Sequence, residues 1–175
     1  KSILLWIVEI VAVLVLGVML AVGFGKTTVM QEGSMEPTLQ AGDTLLINRA
    51  AYRFSSPKRG DIIAFKISDD QKASTHIKRI IGLPGETVQI KDGQILIDGK
   101  VYREETAFPA IENAGMADQG ITLKKGEYFV LGDNRNNSED SRFVDMGTIK
   151  KKNIIGKLWF IISPKERFGF IPNGK

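Results

Sequence analysis

The chain has 175 residues, room for one domain with a real core or for a small domain with an appendage. Its net charge of +4 is spread thinly, and no Lys/Arg stripe interleaved with aromatics occurs, which argues against nucleic acid and suits an anionic lipid surface. With no cysteine, disulfides, thiolate zinc sites and thiol nucleophiles are excluded, although the compartment is left open.

The first element is the stretch Ile3–Phe24, "ILLWIVEIVAVLVLGVMLAVGF", 22 residues whose one charge is Glu9. At about 1.5 Å per residue a helix here is about 33 Å long, enough to cross a hydrocarbon core with some tilt. A cleavable signal peptide has a shorter apolar region and a small-x-small exit, neither of which is found, and a core helix would have to be apolar on every side. One N-terminal transmembrane helix, residues 1–25, is therefore expected. Lys1 before it and Lys26 after it nearly balance, so basic flanks do not settle its orientation.

From Val29 onward the pattern turns to β. The segments "DTLLINRAAY", "GDIIAFKI", "HIKRIIGL", "ETVQIKDGQILIDGKVY", "GEYFVLGD" and "KLWFIIS" are short apolar or alternating runs bounded by Gly, Pro, Asp and Asn. Asp92-Gly93 and Asp98-Gly99 sit between alternating segments, the usual hairpin chemistry, and "GLPGE" at residues 82–86 is a Pro-Gly turn. Helical periodicity beyond the anchor is confined to Met146–Asn153, and Glu104–Gln119 reads as a loop. The expected fold is mainly β, an antiparallel sheet or partly closed barrel over residues 26–175 behind the helix. Its core lies at about 26–85 and 122–165, with a smaller hairpin insertion at about 86–121. Trp159, Phe160, Phe168 and Phe170 close the chain, either as core packing or as an apolar skirt dipping into a bilayer beside the anchor.

Polar residues concentrate in three places: Ser34 in "EGSMEPTL", Lys78 and Arg79 in "THIKRIIGLPGE", and Gly132–Arg142, "GDNRNNSEDSR". On a strand, alternation puts His76, Lys78 and Ile80 on one face and Ile77, Arg79 and Ile81 on the other. A lysine drawn inward loses its proton readily because desolvation disfavours the ammonium form. A neutral amine can then deprotonate a serine hydroxyl. His76, the only histidine, shares the face of Lys78 and is the alternative base. Pro37 biases Glu36 away from helix and is expected to hold Ser34 in an extended, accessible backbone. In the third cluster Arg135 takes a third ligand position, with no Gly at the sixth and no Glu at the twelfth, so a calcium loop is not supported. Arg135 and Arg142 interspersed with Asp133, Glu139 and Asp140 suggest an internal ion-pair network instead.

Taken together, "GSMEPTL", "GDIIAF", "IKRIIGLPGE" and "GDNRNNSEDSR", in that order behind an apolar run, resemble the type I signal peptidases. These are membrane-bound Ser-Lys endopeptidases that remove signal peptides from exported proteins. The resemblance covers essentially the whole chain, and one span with a short insertion looks like the Gram-positive form. It implies that Ser34 is the nucleophile and Lys78 the general base, acting through an acyl-enzyme. It further implies that Ser138 orients the amine, that Asp140 and Arg142 brace it, and that Asp133 and Arg135 hold the loop. The implied setting is a β catalytic domain on the outer face of the cytoplasmic membrane, with the lipid bilayer and the signal peptides of preproteins as partners. Small substrate residues would enter shallow pockets built from Met30, Met35, Leu39, His76 and Ile77. No metal and no organic cofactor are implied. Two positions depart from the family pattern: Glu32 stands where some members carry a Ser that donates to the oxyanion, and His76 where Tyr is common. An ionised Glu32 cannot donate, so the oxyanion hole is expected to rest on the Ser34 backbone N–H and another donor. Glu32 also keeps a second reading open, a membrane-anchored β binding module or an inactive relative. A self-cleaving repressor-type Ser-Lys peptidase would carry a DNA-binding domain where this chain has its apolar run. Nothing in the sequence sets an oligomeric state.

Overall fold

In a computed structural model, described over residues 3–68, 70 and 73–172 with the side chains of 18–24 left aside, a helix leads into a set of antiparallel strands. Lys1 and the final residues of the expected β domain, 173–175, lie outside the described residues. Helix α1 spans Ile3–Phe24, a run without Pro, and its described apolar side chains are exposed, so it offers no face to the core. Over the described residues no helix is long and apolar enough to cross a membrane.

The strands are β1 (Gly25–Val29), β2 (Thr44–Asn48), β3 (Ile62–Phe65), β4 (His76–Gly82), β5 (Thr87–Lys91), β6 (Gln94–Ile97), β7 (Lys100–Val101), β8 (Ile121–Thr122), β9 (Glu127–Leu131), β10 (Ile149–Lys150), β11 (Ile154–Ser163) and β12 (Gly169–Phe170). They form two sheets, ordered β1-β2-β11-β3-β4-β9-β10 with β12 on β11, and β7-β6-β5-β8. The first strand begins directly at the end of α1 rather than at Val29. Lys26, Thr27 and Thr28 look polar in sequence, yet pairing with β2 from Gly25↔Asn48 to Val29↔Thr44 draws them into the ladder. Both Asp-Gly turns form as expected. Asp92 and Gly93 have φ of 51° and 75°, and Asp98 and Gly99 have 51° and 76°, the left-handed pair that a two-residue hairpin turn needs. The expected helix at Met146–Asn153 is absent; the segment gives β10 and one 3-10 turn, Lys151–Asn153, because Ile149 pairs with Tyr128.

Strands β3 and β4 are covered on both faces, which is what positions the site. Pleat and register put Ile63, Lys78 and Ile80 on one face, in a cluster completed by Phe65, Tyr128 and Val130. The opposite face carries Ile62, Ala64 and Ile77, packed with Leu45, Ile47 and Leu158. Further along, Ile81, Phe129 and Leu131 join the second sheet through Val88 and Ile90. The closing aromatics do not enter these cores. Phe168 and Phe170 are 63% and 76% exposed, and Phe160 meets both edge-on at 4.9 and 5.1 Å. Core packing is therefore the wrong account of Phe168 and Phe170.

Candidate active site

Ser34 sits in a single 3-10 turn, Gly33–Met35, closed by the Glu36 N–H donating to the Gly33 carbonyl at 3.1 Å. Glu32 and Glu36 on either side are extended, so the constraint that Pro37 puts on Glu36 stops there. The expected extended, accessible Ser34 is corrected to a turn residue only 5% exposed. Two bonds from the 132–142 loop pin that turn: the Asn134 backbone N–H donates to the Ser34 carbonyl at 3.1 Å, and Asn134 Nδ2 donates to the Gly33 carbonyl at 3.0 Å. The approach is so close that a Cβ at Gly132 would overlap both the Ser34 carbonyl and Ser138 Oγ.

Lys78 comes from the middle of β4 and is 2% exposed, with Ile63 across the ladder and Ile80 beside it. Its Nζ donates to Ser34 Oγ at 2.7 Å. Burial pushes this amine below the usual lysine range; Asp140, Glu32 and Glu139 pull partly the other way, and Arg142 adds to the lowering. Among the described residues Ser34 Oγ bonds to Lys78 and not to His76. His76 is half-buried and stacks on Phe65 at 5.8 Å. Burial, then Lys78, holds it below the ordinary histidine value against Glu32 and Glu139.

The loop is held by ion pairs, though not by the internal network expected from its sequence. Only Asp140 and Arg142 pair within it, through Nε at 2.8 Å and Nη2 at 2.9 Å, while Asp140 Oδ2 accepts the Gly132 N–H at 3.1 Å. Asp133 reaches out to Arg79, bidentate at 2.7 and 2.6 Å, and Arg135 reaches out to Glu104 at 2.7 Å. Glu139 belongs to none of these pairs. Ser138 stands beside the site, but its hydroxyl donates to the Glu139 carbonyl at 3.5 Å and not to the lysine amine. The expected orienting bond is thus missing here.

Two clefts meet at Ser34. The smaller, 140 Å³, is walled by Met30, Glu32, His76, Ile77 and Lys78. The larger, 610 Å³, shares Glu32, Ser34 and His76 and runs on past Ser138, Glu139 and Met146. Met30, His76 and Ile77 thus line a cleft, whereas Met35 and Leu39 do not. Both are fully buried behind the wall, packed with Met30 and Ile77. Among the described residues no group of three or more His, Cys, Asp or Glu is placed to hold a metal ion.

Three contributors were not singled out from sequence as site residues. Asn134 ties the loop to the serine turn, and it lay inside a quoted motif with nothing to mark its target. In sequence Arg79 shows only as a strand cation, and Glu104 only as part of a loop.

The family described as Signal peptidase, peptidase S26 matches residues 3–163. Probable signal peptidase I-2 of Synechocystis sp. is 35% identical, over 93% of this chain and 76% of its own. Signal peptidase I P of Bacillus subtilis subsp. natto is 32% identical, over 95% of this chain and 92% of its own. A solved signal peptidase I from Enterococcus faecalis V583 is 33% identical, covers 59% of this chain and 97% of that one, and superposes with a TM-score of 0.45. The matched span takes in α1, the Ser34 turn, β4 and the 132–142 loop, and the chain belongs to the signal peptidase family, peptidase S26.

Proposed function

We propose that this chain is a membrane-anchored serine endopeptidase that removes N-terminal signal peptides from exported preproteins after small residues, with Ser34 as nucleophile and Lys78 as general base. Family membership supplies the reaction class. The residue roles are carried by one observation, the 2.7 Å contact between Lys78 Nζ and Ser34 Oγ in a pocket whose burial favours the neutral amine.

In this mechanism neutral Lys78 takes the Ser34 hydroxyl proton as Oγ bonds to the scissile carbonyl carbon. The resulting ammonium gives that proton to the leaving amine as the C–N bond breaks, leaving an ester on Ser34. Lys78 then takes a proton from water, whose oxygen attacks the ester, and the proton returns to Ser34 as the carboxylate product leaves. The Ser34 backbone N–H has no acceptor among the described residues and is suited to the developing oxyanion. Glu32 cannot serve there as a carboxylate. Asp140 and Arg142 brace the loop over the amine, and Asp133 and Arg135 anchor it to Arg79 and Glu104. Ser138 could orient the amine only by turning its hydroxyl from the Glu139 carbonyl, a weak bond at 3.5 Å.

Met30, His76 and Ile77 lining a 140 Å³ cleft suit small side chains before the cut. The apolar run of the sequence over Ile3–Phe24, whose one charge is Glu9, and the exposed Trp159, Phe168 and Phe170 support an anchor and a β domain, 26–175, that rests against the outer face of the cytoplasmic membrane. Ser34→Ala and Lys78→Ala are each expected to lower cleavage of a preprotein by about a thousandfold or more, while His76→Ala keeps most of it. An active Lys78→Ala beside an inactive His76→Ala would overturn the assignment.

A further inference from the structure

The larger cleft at Ser34 has a wall chemistry that the reaction does not require. Glu32, shared with the smaller cleft, lies just before the serine turn, Glu139 and Asp145 lie on the loop side of the larger cleft alone, and no lysine or arginine lines the larger cleft. All three carboxylates are exposed, and none has an ion-pair partner among the described residues. The arginines that hold the 132–142 loop are already committed, Arg79 to Asp133, Arg135 to Glu104 and Arg142 to Asp140, while Lys66, Lys150 and Lys152 line a separate, adjoining cleft that shares Ile67 and Met146 with this one. His76, the remaining titratable wall, is held toward its neutral form chiefly by burial. Lys78 itself must be neutral to attack, so it does not offset the carboxylates in the state that reacts.

Direction along the two clefts follows from the proposed function, on which this inference rests. The scissile carbonyl must sit at Ser34 Oγ, where the clefts meet. If the smaller cleft holds the small residues before the cut, the residues after it leave through the larger one. We propose that this larger cleft selects the charge of the first residues of the mature chain, with Glu32 and Glu139 rejecting carboxylate side chains and favouring cationic ones. Because these carboxylates face solvent, the effect is a steering and screening effect that fades with salt, as expected where the Debye length is about 10 Å at 0.1 M.

The test uses three signal-peptide substrates in membranes or detergent, identical except for Lys, Gln or Glu at the second residue after the cut, which leaves the departing amine unchanged. The full chain is expected to give kcat/KM in the order Lys, Gln, Glu, with a Lys-to-Glu ratio of about tenfold at low ionic strength that shrinks toward unity near 1 M salt. Combining Glu32→Gln with Glu139→Gln should bring the ratio near unity even at low salt. The ratio is taken within one enzyme, so a loss of rate common to the three peptides cancels. Should the double variant be unstable, Asp145→Asn alone must lower the ratio by a smaller factor. Equal cleavage of the three peptides, or an unchanged ratio in the variants, overturns the inference and leaves the endopeptidase reading standing. Cleavage of none, with no acylation of Ser34, overturns both.

Discussion

Lys78 and Arg79 are neighbours on β4, each 2% exposed, and they point to opposite faces of one sheet. Their electrostatic settings are opposite as well. On one face Arg79 donates to both oxygens of Asp133 and gives a further bond to the Gly60 carbonyl at 2.9 Å. On the other, Lys78 has Ser34 Oγ as its hydrogen-bond partner and apolar side chains across the ladder. A guanidinium does not give up its proton at any ordinary pH, so its burial requires a carboxylate. An ammonium can, so burying it without a paired carboxylate changes its chemistry instead. The same depth in the protein thus yields a structural cation on one face and a base on the other, and the partner decides which.

The largest effect should come from removing the partner on the structural face. Asp133→Ala leaves the Arg79 charge buried with no carboxylate, only the Gly60 carbonyl as hydrogen-bond acceptor and the Phe108 ring 5.8 Å away, an arrangement that typically costs about 3–5 kcal/mol. For a domain of this size that is a fall in melting temperature of roughly 10 °C. Thermal denaturation followed by circular dichroism measures it, and a change below about 1 kcal/mol would mean that Arg79 does not depend on Asp133.

Removing the cation on the catalytic face should act in the other direction. The unfolded chain's lysine takes up a proton as pH falls below its ordinary 10.5, while the buried amine resists until a lower pH. The stability linked to Lys78 is therefore fully present above 10.5 and is lost as pH falls toward the folded value. Lys78→Met abolishes this titration. We expect the variant to be inactive yet more stable at pH 7 by about 1–2 kcal/mol, with the lead closing as pH approaches 10.5. A variant less stable than the parent at pH 7, or one whose lead is the same at both pH values, would show that burial does not destabilise the ammonium here.

How far these two faces could be read in advance differs for a physical reason. Period-two alternation exposes both cations in "HIKRIIGL", because strand geometry alone assigns residues to faces. What lies opposite each face depends on contacts distant in sequence. Ser34 is 44 residues from Lys78, Asp133 is 54 from Arg79 and Glu104 is 31 from Arg135, so propensity cannot pair them. The motif order brought Ser34 and Lys78 together before any geometry was known, while Glu104 had no motif to announce it. Hairpins at Asp92-Gly93 and Asp98-Gly99 were legible because turn chemistry is local. The first strand was not, since Thr27 and Thr28 are drawn in by their partner rather than by their own apolarity. Met35 and Leu39 show a similar limit: a side chain that lines a cleft and one packed just behind it have the same residue type and spacing.

The smallest expected effect sharpens the comparison most, because it touches charge without removing either cation. Glu32, Glu139 and Asp140 each raise the Lys78 amine, while burial and Arg142 lower it. Glu32 is the exposed member of that set just before the serine turn, so Glu32→Gln removes charge with little change of shape. The amine should then lose its proton at lower pH, and the rising limb of kcat/KM against pH should move toward acid. Glu104→Gln removes an equal charge from the carboxylate bonded to Arg135, which is not among the groups acting on Lys78, and should leave that limb in place. If both substitutions moved the limb equally, the lysine would be sensing the net charge of the protein rather than its own face of β4. If Glu32→Gln moved it toward alkali, the carboxylate would be acting on some group other than the amine.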